Sequence, residues 1–140
     1  MEVREWMSPD PVAVAPDTPV VEARRLLAEK GFRHLPVVDN GRLVGIISDR
    51  DVAINPRALR AAVRNGSVSD LLDDDRPIEA VMSPDPHVIG LDARLDEAAR
   101  LLVSRHVNAL PVVDEDRQLV GIVTSVDCLL ASMQLDPENA

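Results

Sequence analysis

Two copies of one unit make up most of this 140-residue chain, and that repetition restricts its fold more than any other feature. Met7-Ser8-Pro9-Asp10-Pro11 returns 75 residues later as Met82-Ser83-Pro84-Asp85-Pro86. At the same offset Glu22-Ala23-x-Arg25-Leu26-Leu27 falls on Glu97-Ala98-x-Arg100-Leu101-Leu102, and Leu35-Pro36-Val37-Val38-Asp39 on Leu110-Pro111-Val112-Val113-Asp114. Sixteen of the 34 positions from 6 to 39 are identical, more than chance gives. One residue is then inserted in the second copy. At an offset of 76, Leu43-Val44-Gly45-Ile46 matches Leu119-Val120-Gly121-Ile122, and Asp51 falls on Asp127.

Each copy reads as β-α-β-β-α. Prolines bias the stretch around Val12 and Val14, or His87 and Ile89, toward an extended conformation. Asp17 or Asp92 stands at an N-cap position. Val20, Ala23, Leu26 and Leu27, like Leu95, Ala98, Leu101 and Leu102, then recur at helical spacing over Val20–Lys30 and Leu95–Arg105. The β-branched runs 35–38 and 43–47 flank Asp39-Asn40-Gly41, a strong hairpin signal. Asp51 and Asp127 are expected where a closing helix starts. A unit of about 50 residues is too small to bury both faces of its sheet, so the copies are expected to share one core. The expected boundaries are 1–54 for the first repeat, 55–77 for a linker, 78–132 for the second repeat and 133–140 for a tail. In the linker, Arg57, Arg60 and Arg64 share one side of a helix over Ala58–Arg64. Gly66 ends that helix, and Asp70 with Asp73-Asp74-Asp75 forms an acidic run. The segment reads as a solvated connection, or as one that docks on a partner or gates a cleft.

Composition removes several functions. Trp6 and Phe32 are the only aromatic residues, and 15 Lys+Arg stand against 24 Asp+Glu, a net charge of −9. Nucleic-acid binding is therefore disfavoured, because it needs a basic groove and often stacking rings. Cys128 is the single cysteine, so neither an internal disulfide nor a cysteine-rich zinc site can form, and it reads as an inert thiol. No apolar run approaches the roughly 18–20 residues of a membrane span, so a cytoplasmic protein is expected. No His, Cys or carboxylate stands beside His34 or His87 at ligand spacing, and no metal site is expected. No nucleophile–base pair or glycine-rich phosphate loop can be assembled, so an enzyme is not expected either.

The Met-Ser-Pro starts, the Leu-Pro-Val-Val-Asp strands and the segments Gly45-Ile46-Ile47-Ser48-Asp49-Arg50-Asp51 and Gly121-Ile122-Val123-Thr124-Ser125-Val126-Asp127 resemble a tandem pair of cystathionine-β-synthase (CBS) domains, a Bateman module. Small stand-alone members of the acetoin-utilisation type are nearest in style. The resemblance covers roughly residues 3–53 and 78–130. It implies an α/β (α+β) fold, with two β-α-β-β-α repeats packed about a pseudo-two-fold axis and leaving clefts for AMP, ADP, ATP or S-adenosylmethionine. Such modules are sensors, with no cofactor required.

The resemblance also assigns roles. Asp51 and Asp127 would accept hydrogen bonds from ribose hydroxyls, although both could instead be helix caps. Ser48 and Thr124 would offer hydroxyls to phosphate, and Arg33 and Arg50 positive charge; their counterparts are Asn108 and Val126, so the two sites should differ in affinity. Arg33 and Arg50 could equally be solvated charges paired with nearby acids. Val12, Val14, His34, His87 and Ile89 would flank the adenine. The expected function is a regulatory module that senses an adenine nucleotide, forms a homodimer and acts in trans on another protein. The alternative is a ligand-free scaffold that dimerises through its helices.

Overall fold

The computed structural model describes residues 1–134. Its first elements are a short helix α1 (Val3–Trp6), strand β1 (Ser8–Pro9), helix α2 (Val20–Lys30) and strands β2 (His34–Asp39) and β3 (Arg42–Ser48). Helices α3 (Pro56–Asn65) and α4 (Val68–Leu72) lead to a 3-10 turn, Ile78–Ala80. Then come β4 (Ser83–Pro84), β5 (Ile89–Gly90), α5 (Leu95–Arg105), β6 (Ala109–Val113), β7 (Leu119–Thr124) and α6 (Ser125–Gln134). The fold is mixed α/β, as expected from the helical spacing and the β-branched runs. The β2–β3 turn has positive φ at Asn40 (52°) and Gly41 (81°), the two-residue geometry that Asn-Gly favours.

The compact units do not follow the sequence repeats. Among the described residues, one consists of Met1–Val12, Asn40–Leu43 and 85–134; the other of Ala13–Asp39 and Val44–Pro84. In the first unit the sheet order is β1-β7-β6-β5. Strand β1, from the first repeat, lies antiparallel to β7 of the second, with Ser8 opposite Ile122, and β5 runs parallel to β6. In the other unit β4, from the second repeat, lies antiparallel to β3 of the first, with Ser83 opposite Ile46. There Val14 takes the place of β5, bridging Val37 in parallel. Each Met-Ser-Pro strand thus completes the sheet of the other repeat.

The buried residues accordingly form two clusters rather than the single shared core expected from repeat size. Val3, Ile89, Leu95, Ala98, Leu102 and Leu110 belong to one, and Val14, Val20, Ala23, Leu27, Leu35 and Ile78 to the other. Val3 and Ile78, each fully buried, precede the Met-Ser-Pro strands and close cores that the repeats cannot close alone.

Asp17 and Asp92 are not N-caps. Helices α2 and α5 begin after Pro19 and Arg94, and neither flanking side chain caps. Backbone carbonyls take the free amides instead: Val20 donates to Arg76 (2.9 Å), Val21 to Asp74 (2.9 Å) and Leu95 to Met1 (3.0 Å). The end of the linker is therefore fastened to α2 by its backbone, while Asp73, Asp75 and Arg76 stay exposed. Asp74 also pairs with Arg76 at 2.7 Å, and that guanidinium holds its carboxyl below the usual carboxylate range.

The closing helix expected at Asp51 is also absent. Residues 49–52 form a turn, and α3 starts only at Pro56, two residues earlier than its expected Ala58 and capped by Asn55, whose side chain accepts from the amides of Arg57 and Ala58. Asn55 precedes a proline, which disfavours helical backbone there. Met133 and Gln134, placed in a tail by the sequence, end α6, and residues 135–140 lie outside the described residues.

The added strands approach closely at two glycines. A Cβ on Gly45 would meet the Met82 sulfur and lie 3.1 Å from the Ser83 carbonyl oxygen; one on Gly121 would meet the Met7 sulfur and lie 3.1 Å from Ser8 O. Gly45→Ala or Gly121→Ala is expected to cost about 1–3 kcal/mol by overpacking. Urea midpoints check this, and unchanged midpoints would show that the Met82 and Met7 side chains move aside without loss.

Candidate functional site

The turn after β3 holds Asp51 by a reciprocal bracket. The Ser48 amide donates to Asp51 Oδ2 (2.8 Å), and the Asp51 amide donates back to Ser48 Oγ (3.3 Å). This is a capping box in pattern, yet no helix follows it. Asp51 is exposed, and Oδ1 has no protein donor among the described residues, so one oxygen is set by the backbone while the other has no protein partner.

A second hydrogen bond, from the Asp49 amide to the Arg33 carbonyl (2.9 Å), ties this turn to the start of β2. Arg33 and Arg50 are both exposed and form no ion pair among the described residues, so the alternative of pairing with nearby acids is not seen. His34, next along β2, has its pKa lowered from the usual 6.5, chiefly by burial; Asp49 and Asp51 oppose that shift. The imidazole is therefore neutral at pH 7. Val14 is buried in the core, and its carbonyl accepts from the Val38 amide (2.9 Å). One compact unit thus gathers Val14, Arg33, His34, Ser48, Arg50 and Asp51, whereas Val12 belongs to the other.

The second repeat reproduces the bracket with different surroundings. Thr124 donates to Asp127 Oδ2 through its amide (2.8 Å) and its hydroxyl (3.1 Å), and the Asp127 amide donates to Thr124 Oγ1 (3.4 Å). Here the bracket does cap a helix, α6. The Ser125 amide bonds the Asn108 carbonyl (3.1 Å), as Asp49 bonds Arg33. Asp127 is half-buried, Ile89 is buried, and His87 is exposed. With Asn108 and Val126 in place of the two arginines, this site carries no guanidinium of its own.

Other features divide cleanly from these. Four carboxylates, Asp92, Asp114, Glu115 and Asp116, line a cavity at the opposite end of β5 and β6, which suits no phosphate. Among the described residues no group of His, Cys, Asp and Glu could hold a metal ion, and no helix is long and apolar enough to cross a membrane. Cys128 is half-buried, and burial followed by the Asp127 charge raises its pKa, so the thiol stays protonated. The apolar faces of α2 and α5 turn largely inward. On α6 Val126, Leu129, Leu130 and Met133 stand exposed at helical spacing.

One residue of the first site escaped the sequence reading. Arg24 on α2 donates through Nε to the Val52 carbonyl (2.8 Å), one residue past Asp51. Its signal was the single mismatch inside a conserved-looking run: Ala99 stands at the equivalent place between Ala98 and Arg100.

Comparison with known proteins places the chain in a family. The family model for the CBS domain matches residues 3–55 and 78–134. The crystal structure of CBSX2 from Arabidopsis thaliana in complex with AMP superposes with a TM-score of 0.77 at 34% identity, covering 96% of this chain and 97% of that one. The CBS domain pair of protein MJ0100 in complex with 5-methylthioadenosine and S-adenosyl-L-methionine gives 0.77 at 27%, covering 97% and 98%. A structure from Vibrio cholerae assigned to acetoin utilization gives 0.75 at 30%, covering 96% and 92%. The chain spans 45%, 21% and 21% of the length of the first curated relatives it matches. With both repeats matched in order and across more than half of its length, this chain belongs to the CBS domain family.

Proposed function

We propose that the chain is a regulatory module that binds an adenosine-containing nucleotide and acts on a partner in trans. One observation carries this reading: the Ser48–Asp51 bracket keeps the geometry of its copy at Thr124–Asp127 although it has no helix to cap. In this reading Asp51 accepts from the ribose hydroxyls, Arg33 and Arg50 meet the phosphate, and His34 and Val14 flank the base. Asp127, Thr124, Asn108, His87 and Ile89 form the weaker equivalent. That the CBSX2 and MJ0100 structures hold adenosine compounds supports the ligand class. The chemistry assigned is binding rather than catalysis, and a cytoplasmic, homodimeric protein is the setting it suits.

The apolar row on α6 supports a second reading, a scaffold that assembles through its helices with no ligand. Thermal-shift titration with AMP, ADP, ATP and S-adenosylmethionine against guanine controls separates the two. A ligand at 100 times its Kd adds about 2.7 kcal/mol of stability, so a selective adenosine response is expected. No response from ligand-free protein, together with a dimer by light scattering, would favour the scaffold.

A further inference from the structure

Asp127 is held by the helix that continues from it, but Asp51 sits in a turn followed by three residues of irregular chain. Something else must keep that turn in place. The Val52 side chain is buried in the core, and the Val52 carbonyl accepts from Arg24 Nε at 2.8 Å. The same guanidinium reaches the Leu72 carbonyl through Nη1 at 3.4 Å, at the C-terminal end of α4. Arg24 is half-buried on α2, whose first amides are held by the carbonyls of Asp74 and Arg76 just beyond α4. A planar guanidinium with several fixed donors can hold two carbonyls at once, which an ammonium does less well. In the second repeat Ala99 occupies this position, and α6 does the holding instead.

We infer that Arg24 is a positioning residue for the Asp51 site and couples that site to linker helix α4. The inference about ligand rests on the nucleotide reading above; the clamp itself does not. Because one side chain bridges the turn and the linker, ordering the turn around a bound nucleotide also orders Val68–Leu72. Only the first repeat can send a signal along this route.

Amide hydrogen exchange on the full chain, with and without AMP, tests both parts. In ligand-free protein Arg24→Gln is expected to speed exchange about tenfold at Asp51, Ala53, Leu71 and Asp73, whose amides bond within these segments, while Thr124–Asp127 is unchanged. Arg24→Lys should restore part of the protection. In an Asp127→Ala background, which isolates the first site, Arg24→Gln is expected to weaken AMP about tenfold; in an Asp51→Ala background it should leave affinity unchanged. Exchange unaltered at those amides, or accelerated equally around Asp127, overturns the clamp. Local acceleration with unaltered AMP affinity overturns its role in binding. If the parent protein binds no adenosine nucleotide while the local acceleration is seen, the nucleotide reading fails and the clamp between turn and linker stands.

Discussion

Ile78→Ala is expected to destabilise the protein by about 2–5 kcal/mol, the cost of truncating a buried isoleucine whose site cannot fully collapse. Ile78 begins the second repeat, yet it is fully buried against Val14, Val20, Leu27, Leu35, Ile47 and Val52 of the first. Its amide donates to the Thr18 carbonyl at 2.7 Å, so the backbone is fixed there as well. Domain stabilities are about 5–15 kcal/mol, and this loss is a large part of that. Trp6, the single tryptophan, packs against the other cluster, so urea unfolding is best followed by circular dichroism. Val63→Ala on the exposed side of α3 is the control, expected within about 0.5 kcal/mol of the parent. If Ile78→Ala matched that control, the first repeat would not depend on the segment that begins the second.

Asp51→Ala is expected to weaken the tighter AMP site about 100-fold or more. Hydrogen bonds to a charged acceptor contribute about 1.5–3 kcal/mol each, and a ribose offers two hydroxyls to one carboxylate. Asp51→Asn keeps an acceptor oxygen but loses the charge, and about a tenfold loss is expected. Isothermal titration should show the second, weaker event unchanged in both variants and removed by Asp127→Ala. Unchanged affinity in Asp51→Ala would sink the ribose assignment. Because the Asp51 side chain is exposed, circular dichroism should show the variant still folded, which keeps the result interpretable.

Much of this was legible in the residues. Helical spacing placed α2 and α5, and the β-branched runs about Asp39-Asn40-Gly41 placed the β2–β3 hairpin, since those residues are the ones buried: Val20, Ala23 and Leu27 on α2, and Leu43 and Ile47 on β3. The Ser/Thr-x-x-Asp spacing singled out Ser48, Asp51, Thr124 and Asp127, but the bracket in which each pair bonds its own backbone was not read from it. What failed were inferences from local pattern about nonlocal partners. Asp17 fits an N-cap by type, but carbonyls of Asp74 and Arg76, more than fifty residues away, take the amides of α2. Asp51 looked like a helix start because Asp127 is one; Asn55-Pro56 postpones the helix. The strand exchange left no mark in the repeat alignment, because Ser8-Pro9 and Ser83-Pro84 are identical and either could serve either sheet.

That exchange has a consequence for how such a chain can arise and be recombined. The two repeats are not interchangeable cassettes: a single copy brings the edge strand for a neighbour and lacks its own. A lone repeat finds its missing strand only on another molecule, so its folding is second order in concentration. Joining two copies in one gene raises the effective concentration of each strand to that set by the connecting segment, and folding then no longer depends on dilution.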